Sequence, residues 1–292
     1  MVAGRPASKV RAAVRVVWGE RLEVRTDFLA TEEPMEVRLV AGRHRRTVAV
    51  TMRTPGNDFE LAAGFLFCEG VVRSRDEVAR IAYCLDEGLD AEQRYNVVTV
   101  ELRAEQLPDL QPLERHFYTT SACGVCGKAS LEALRVRGCP VLDGGPVLDP
   151  QLLREFPERL RRAQGLFAQT GGLHAAALFD ADGRLLAVRE DVGRHNAMDK
   201  LVGWALLEGR LPLRDSVVVV SGRASYELVQ KAVAAGAPVF CAVSAPSSLA
   251  VEVARAFGVT LVGFLRGDRF NVYTGTERVR GVAAEQGRAA TP

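Results

Sequence analysis

The chain has little lysine, no long apolar run and almost no net charge. Four lysines (Lys9, Lys128, Lys200, Lys231) stand among 38 basic residues, and these face 36 acidic ones for a net charge of +2. That balance excludes a global field suited to nucleic acid or an anionic membrane, so any anion site must be local. No stretch approaches the roughly 18 to 20 apolar residues of a membrane span. Residues 1 to 15 lack a signal peptide's apolar centre, being broken by Arg5, Lys9, Arg11 and Arg15. A cytoplasmic protein with reduced thiols is therefore expected. Six cysteines in 292 residues do not make a disulfide scaffold. Only one CxxC pair occurs, so the usual four-thiolate zinc site built from two such pairs is excluded.

That pair lies in Thr120-Ser-Ala-Cys-Gly-Val-Cys-Gly-Lys128. Gly124 and Gly127 flank Cys123 and Cys126, and Lys128 adds positive charge. The run Ala129 to Arg135 reads as a helix, which places the motif at a helix N-terminus. Such a position lowers a thiol pKa and favours a nucleophilic thiolate. Three chemistries remain open for the pair: a metal site, a redox dithiol, and sulfur transfer through a cysteine persulfide. The preceding His116-Phe-Tyr-Thr-Thr-Ser-Ala122 is small and polar rather than an apolar strand, so a loop is expected. Persulfide transfer suits an exposed thiol on a loop. Cys68 and Cys241 sit in apolar runs and read as core residues.

With 48% apolar and 25% charged residues the chain can bury a substantial core. Two zones are expected. The first holds short strands at Leu22 to Arg25, Glu36 to Val40, Thr47 to Met52 and Val97 to Leu102, with an apolar helix from Glu60 to Phe67 capped by Asn57 or Asp58. Pro108 and Pro112 mark a boundary. Residues 1 to 15 and 275 to 292 read as loose termini.

The second zone is α/β. It holds a helix at Gln151 to Ala163, a hairpin joining the strand through Phe179 to Leu185–Arg189, and a helix from Val192 to Leu207 capped by Asp191. The series Ser216–Val220, Tyr226–Ala235, Pro238–Val243, Leu249–Phe257, Thr260–Phe264 is β-α-β-α-β and implies a parallel sheet. Ligands gather at the carboxyl ends of such strands. Those ends carry Ser221-Gly222-Arg223, Ser244-Ala245 and Arg266-Gly267-Asp268-Arg269, residue types that suit a phosphate. The run Glu190 to Lys200 is dense in polar groups, and His195 and Asp199 share a helix face four residues apart; proton transfer is one reading, and a capped helix with a buried polar network or a subunit contact is the favoured one. His174 is either a core histidine or a ligand contact.

The ordered set of motifs resembles the formate dehydrogenase accessory sulfurtransferases, the FdhD family. The residues that carry it are Thr54-Pro-Gly56, Glu60 to Leu66, Ser121 to Gly127, Gly171 to Ala176, Asp191 to Ala197, Ser221 to Ser225, Val262 to Gly267 and Asn271 to Thr274. The resemblance implies a cytidine-deaminase-like α/β domain with a mixed, partly parallel sheet at residues 113–275, carrying the CxxC. A smaller α+β domain at 16–112 precedes it, with tails at 1–15 and 276–292. It implies a cytoplasmic homodimer that takes sulfur from a cysteine desulfurase and passes it to the molybdenum bis(guanine dinucleotide) cofactor, for the benefit of formate dehydrogenase. Cys123 is implied as the persulfide carrier, with Cys126 beside it. Phe264, Leu265, Arg266, Gly267, Asp268 and Arg269 match the family's cofactor-binding stretch, and Ser221, Gly222 and Arg223 join them by the strand-end argument. GDP should mimic part of that ligand. No permanently bound cofactor and no metal are expected. A cofactor chaperone without sulfur of its own is the alternative. The zinc deaminases' His-x-Glu has no counterpart at His174, where alanines follow.

Overall fold

The computed structural model describes residues 7–84, 93–110, 132, 134–135 and 138–282. In chain order the strands are β1 (Lys9–Trp18), β2 (Arg21–Ala30), β3 (Glu33–Ala41), β4 (His44–Arg53), β5 (Val78–Tyr83), β6 (Val97–Leu102), β7 (His174–Asp180), β8 (Leu185–Asp191), β9 (Ser216–Val220), β10 (Val239–Ala242), β11 (Thr260–Arg266) and β12 (Arg269–Thr274). The helices are α1 (Asp58–Cys68), α2 (Pro150–Ala163), α3 (Phe167–Thr170), α4 (Arg194–Leu207), α5 (Tyr226–Ala234) and α6 (Ser248–Ala256). The chain forms two compact units, one of Met1–Val125, Ala163–Ala176 and Val188–Arg210, the other of Cys126–Arg162, Ala177–Ala187 and Leu211–Pro292.

In the first unit β1 and β2 form a two-stranded antiparallel ribbon, with Val10 opposite Leu29 and Val17 opposite Leu22. The chain is therefore ordered from Lys9, within the segment read as a loose terminus. Arginines interleaved with Val10, Val14 and Val16 hide the alternation that makes it a strand. A four-stranded sheet follows in the order β4-β3-β6-β5. In β3 the period of two is plain, since Met35, Val37, Leu39 and Ala41 are buried while Glu36 and Arg38 alternate with them. β3 runs parallel to β6 and antiparallel to β4. Helices α1 and α4 pack against each other.

Asn57 is the N-cap of α1 in the left-handed conformation and makes no side-chain cap bond. Asp58 is occupied otherwise. Its carboxylate accepts two bonds from buried Arg53, at 3.1 Å each, and one from Gly56 N. Helix α4 likewise starts at Arg194, two residues later than expected, with Gly193 as its N-cap.

A six-stranded sheet runs in the order β12-β11-β10-β9-β7-β8, with β9 to β12 in the second unit. β10 is parallel to both β9 and β11, and β12 returns antiparallel to β11. Every residue of β9 and β10 is buried, which explains their unbroken apolar runs. Helices α5 and α6 make the two crossovers and pack on each other. The fold is thus mixed α/β, with parallel and antiparallel pairing in one sheet.

Candidate functional site

Because β9, β10 and β11 are parallel, their carboxyl ends share one edge of the sheet. The backbone locks these ends side by side. Ser244 N donates to Gly222 O at 3.2 Å, Ala224 N to Ala245 O at 3.1 Å, and Phe264 N to Ser244 O at 3.1 Å. The three polar ends expected from sequence are therefore joined in one row. β9 and β11 flank β10, so Arg223 and Arg266 start from strands roughly 10 Å apart, two interstrand spacings.

The end of β11 departs from a plain strand-to-helix loop. It is a hairpin in which Arg266 pairs directly with Arg269 across a turn at Gly267-Asp268. A bulge precedes it between Gly263 and Arg266, and Phe264 there takes a positive φ of 51°. Gly263 is needed at this bulge, since a Cβ would come within 2.9 Å of Pro246 Cδ and 3.0 Å of the Tyr273 ring. Leu265 is fully buried and anchors the hairpin. Arg266, Gly267, Asp268 and Arg269 are exposed, as is Arg223, while Ser221, Gly222 and Phe264 are half-buried. The Arg266 guanidinium lies 5.7 Å from the centre of the Phe264 ring. Exposed arginines on adjoining strand ends can hold a phosphorylated anion through charge-assisted bonds.

The first unit holds a second polar cluster, at the start of α4. Asp191 and Lys200 form a fully buried ion pair at 2.6 Å. Asp191 also accepts from Thr54 N, Gly193 N and Asn196 Nδ2, at 2.8 to 3.1 Å. Lys200 Nζ also donates to Thr54 O at 2.8 Å and Glu190 O at 3.2 Å. Burial pushes the Lys200 ammonium below its usual pKa, against the opposing pull of Asp191. Burial also holds His174 below the ordinary histidine value, with Arg194 and His195 adding to the shift and Asp191 opposing it. Asp191 is thus the anion of a buried network rather than a simple helix cap. Thr54 is the member that the sequence reading did not join to the polar run holding Asp191 and Lys200. The signal was present only as separate motifs, with Thr54 and Lys200 146 residues apart.

Cys123 and Cys126 lie outside the described residues. Among the described residues, no group of three or more His, Cys, Asp or Glu is placed to hold a metal ion. Nor is any helix long and apolar enough to cross a membrane.

The FdhD/NarQ family model matches residues 30–280. The chain belongs to that family. It is 54% identical over 280 residues to the sulfur carrier protein FdhD of Streptomyces avermitilis, covering 94% of this chain and 97% of that protein. It is 57% identical over 258 residues to the protein of the same name from Mycolicibacterium paratuberculosis, covering 87% and 93%. A crystal structure described as a formate dehydrogenase accessory protein from Desulfotalea psychrophila superposes with a TM-score of 0.71 at 27% identity. The match covers 93% of this chain and 99% of that one. The hairpin at Phe264–Arg269, the Asp191 cluster and the loop after β9 all fall inside the family match.

Proposed function

We propose that this FdhD/NarQ protein is a sulfur carrier that serves formate dehydrogenase. It accepts sulfur from a cysteine desulfurase as a persulfide on Cys123 and delivers it to the molybdenum bis(guanine dinucleotide) cofactor, its substrate. The observation that carries this reading is near-full-length identity above one half to proteins named sulfur carriers. The strand-end row supports it. Arg223, Arg266 and Arg269 are exposed at adjoining strand ends that also carry Gly222 and Gly267, residue types that suit the phosphates of a guanine dinucleotide.

Loading balances without an outside oxidant. The Cys123 thiolate attacks the outer sulfur of the desulfurase persulfide, a new S–S bond forms, and the donor cysteine leaves as its thiolate. Attack of the Cys126 thiolate on Cys123 Sγ would then release hydrosulfide and leave a Cys123–Cys126 disulfide. We further read residues 113–275 as a relative of the cytidine-deaminase fold without its acid/base, since Ala175 and Ala176 follow His174. The working form in this reading is a cytoplasmic homodimer.

The test is intact-mass analysis after incubation with a cysteine desulfurase and cysteine. Wild type should gain one reducible sulfur that maps to Cys123, and Cys123→Ala should not. Equal uptake by Cys123→Ala would refute the assignment. The second reading, a cofactor chaperone, rests on the same arginine row. It predicts that a Cys123→Ala/Cys126→Ala protein still restores formate dehydrogenase activity to a strain lacking the carrier.

A further inference from the structure

The β9–α5 and β10–α6 connections repeat one turn geometry. Ser225 is the N-cap of α5 with φ −83° and ψ 162°, and Ser247 is the N-cap of α6 with φ −84° and ψ 160°. The two turns are locked in step, because Ala224 bridges to Pro246 and Ser247 N donates to Ala224 O at 3.0 Å. With the same backbone, the two hydroxyls do different things. Ser247 Oγ accepts from Ala250 N at 3.2 Å and caps its helix in the usual way. Ser225 makes no side-chain cap bond, although both helices are nine residues long. Its Oγ is buried and has no hydrogen-bond partner among the described residues.

A buried hydroxyl without a partner is rare in folded proteins and calls for a reason. The cap bond is open to it by rotation about χ1, as Ser247 demonstrates on matching dihedrals. The neglected bond and its place at the carboxyl edge of the parallel strands share an explanation. We infer that the Ser225 hydroxyl is a ligand group, which donates a hydrogen bond to a phosphoryl oxygen seated between the start of α5 and the Gly222-Arg223 turn. This rests on the reading of the strand ends as a phosphate site and adds a residue to it. The shared chemistry is a terminal or bridging phosphoryl group, from a guanine nucleotide or from free pyrophosphate.

The test titrates GDP, and separately inorganic pyrophosphate, into full-length wild type, Ser225→Ala, Ser225→Thr and Ser247→Ala, with a melting curve for each. Ser225→Ala should weaken both ligands about fivefold to tenfold, the worth of one hydrogen bond. It should leave Tm unchanged or raise it, because an unpaired buried hydroxyl is removed. Ser225→Thr keeps the hydroxyl and should bind as wild type. Ser247→Ala should do the reverse of Ser225→Ala, with a lower Tm and unchanged affinity. A Ser225→Ala protein that binds both ligands normally, while Arg266→Ala does not, overturns this inference and spares the site. So does a Tm loss in Ser225→Ala equal to that of Ser247→Ala, which would make the hydroxyl a cap. Weakening of GDP alone overturns the phosphoryl contact. Failure of wild type to bind either ligand overturns the phosphate site itself.

Discussion

Gly64 of α1 and Gly203 of α4 meet backbone to backbone. A Cβ added to Gly64 would lie 2.7 Å from Gly203 N, and one added to Gly203 would lie 2.7 Å from Gly64 N. Each would press closer still on a carbonyl oxygen of the other helix, Asp199 O or Glu60 O. Helices ordinarily pack with axes 8–10 Å apart. Here the missing side chains let two backbones touch, and backbone cannot swing aside as a side chain can. Ala would ordinarily strengthen a helix by about 1 kcal/mol over Gly. The clash should outweigh that gain, with Gly203→Ala and Gly64→Ala each losing about 3 kcal/mol or more. Urea unfolding of either variant checks this, and a stability equal to wild type would show that the contact is loose.

The Asp191–Lys200 pair beside this crossing makes an independent prediction. Lys200→Met removes the cation and keeps the chain length and the apolar stem. Asp191 would remain buried without its cation, and Thr54 N, Gly193 N and Asn196 Nδ2 would be its remaining donors among the described residues. Breaking a buried pair from one side costs about 3–5 kcal/mol. The drop should appear as a shift in the denaturation midpoint without a change in slope. A loss below about 1 kcal/mol would mean that the network relaxes around the missing charge.

This network and crossing show where a single sequence runs out. The parallel strands were legible because β9 and β10 are buried on both faces, so Val217 to Val220 and Val239 to Ala242 are unbroken apolar runs. β5 was not, because Val78-Ala-Arg-Ile-Ala-Tyr83 is only partly buried and carries no clean alternation. Arg266 to Arg269 read as a loop because Gly267 and Asp268 announce a turn, while the antiparallel return of β12 depends on a partner strand. Asp191 read as a helix cap because Asp is a good cap, and the competing buried Lys200 lies nine residues on. The close approach of Gly64 and Gly203 left no local trace at all. The three adjoining strand ends were legible from the β-α-β-α-β series, whereas the contrast between Ser225 and Ser247 exists only in the folded chain.

His174 ties stability to pH. Its folded pKa lies below the ordinary value near 6.5, through burial first and then the charges of Arg194 and His195. Between the folded value and about 6.5 the unfolded chain therefore binds more protons than the native one. Stability must rise with pH across that window and level off above it. Acidification from pH 7 to 5 should lower Tm, and His174→Asn should flatten that part of the slope. NMR titration of the His174 ring gives the folded value directly. A ring that titrates above 6.5 would reverse the sign and contradict the burial argument.

The arginine row yields the final prediction. A charge-assisted bond to phosphate is worth about 1.5–3 kcal/mol, which is roughly tenfold to a hundredfold in affinity. Arg223, Arg266 and Arg269 are exposed, so water and salt screen them and the lower figure applies. Arg266→Ala should weaken GDP about tenfold at low salt, and the loss should shrink as salt rises. Arg266→Lys should not restore it fully, because an ammonium cannot repeat the paired bonds of a guanidinium and stacks less well on the Phe264 ring. Arg223→Ala should act in the same direction from the other side of β10. Tm should stay within a degree or so of wild type in all three, since these side chains lie outside the core. If both alanine variants bind GDP as wild type does, the guanine nucleotide sits elsewhere on the protein and the strand-end row serves another purpose.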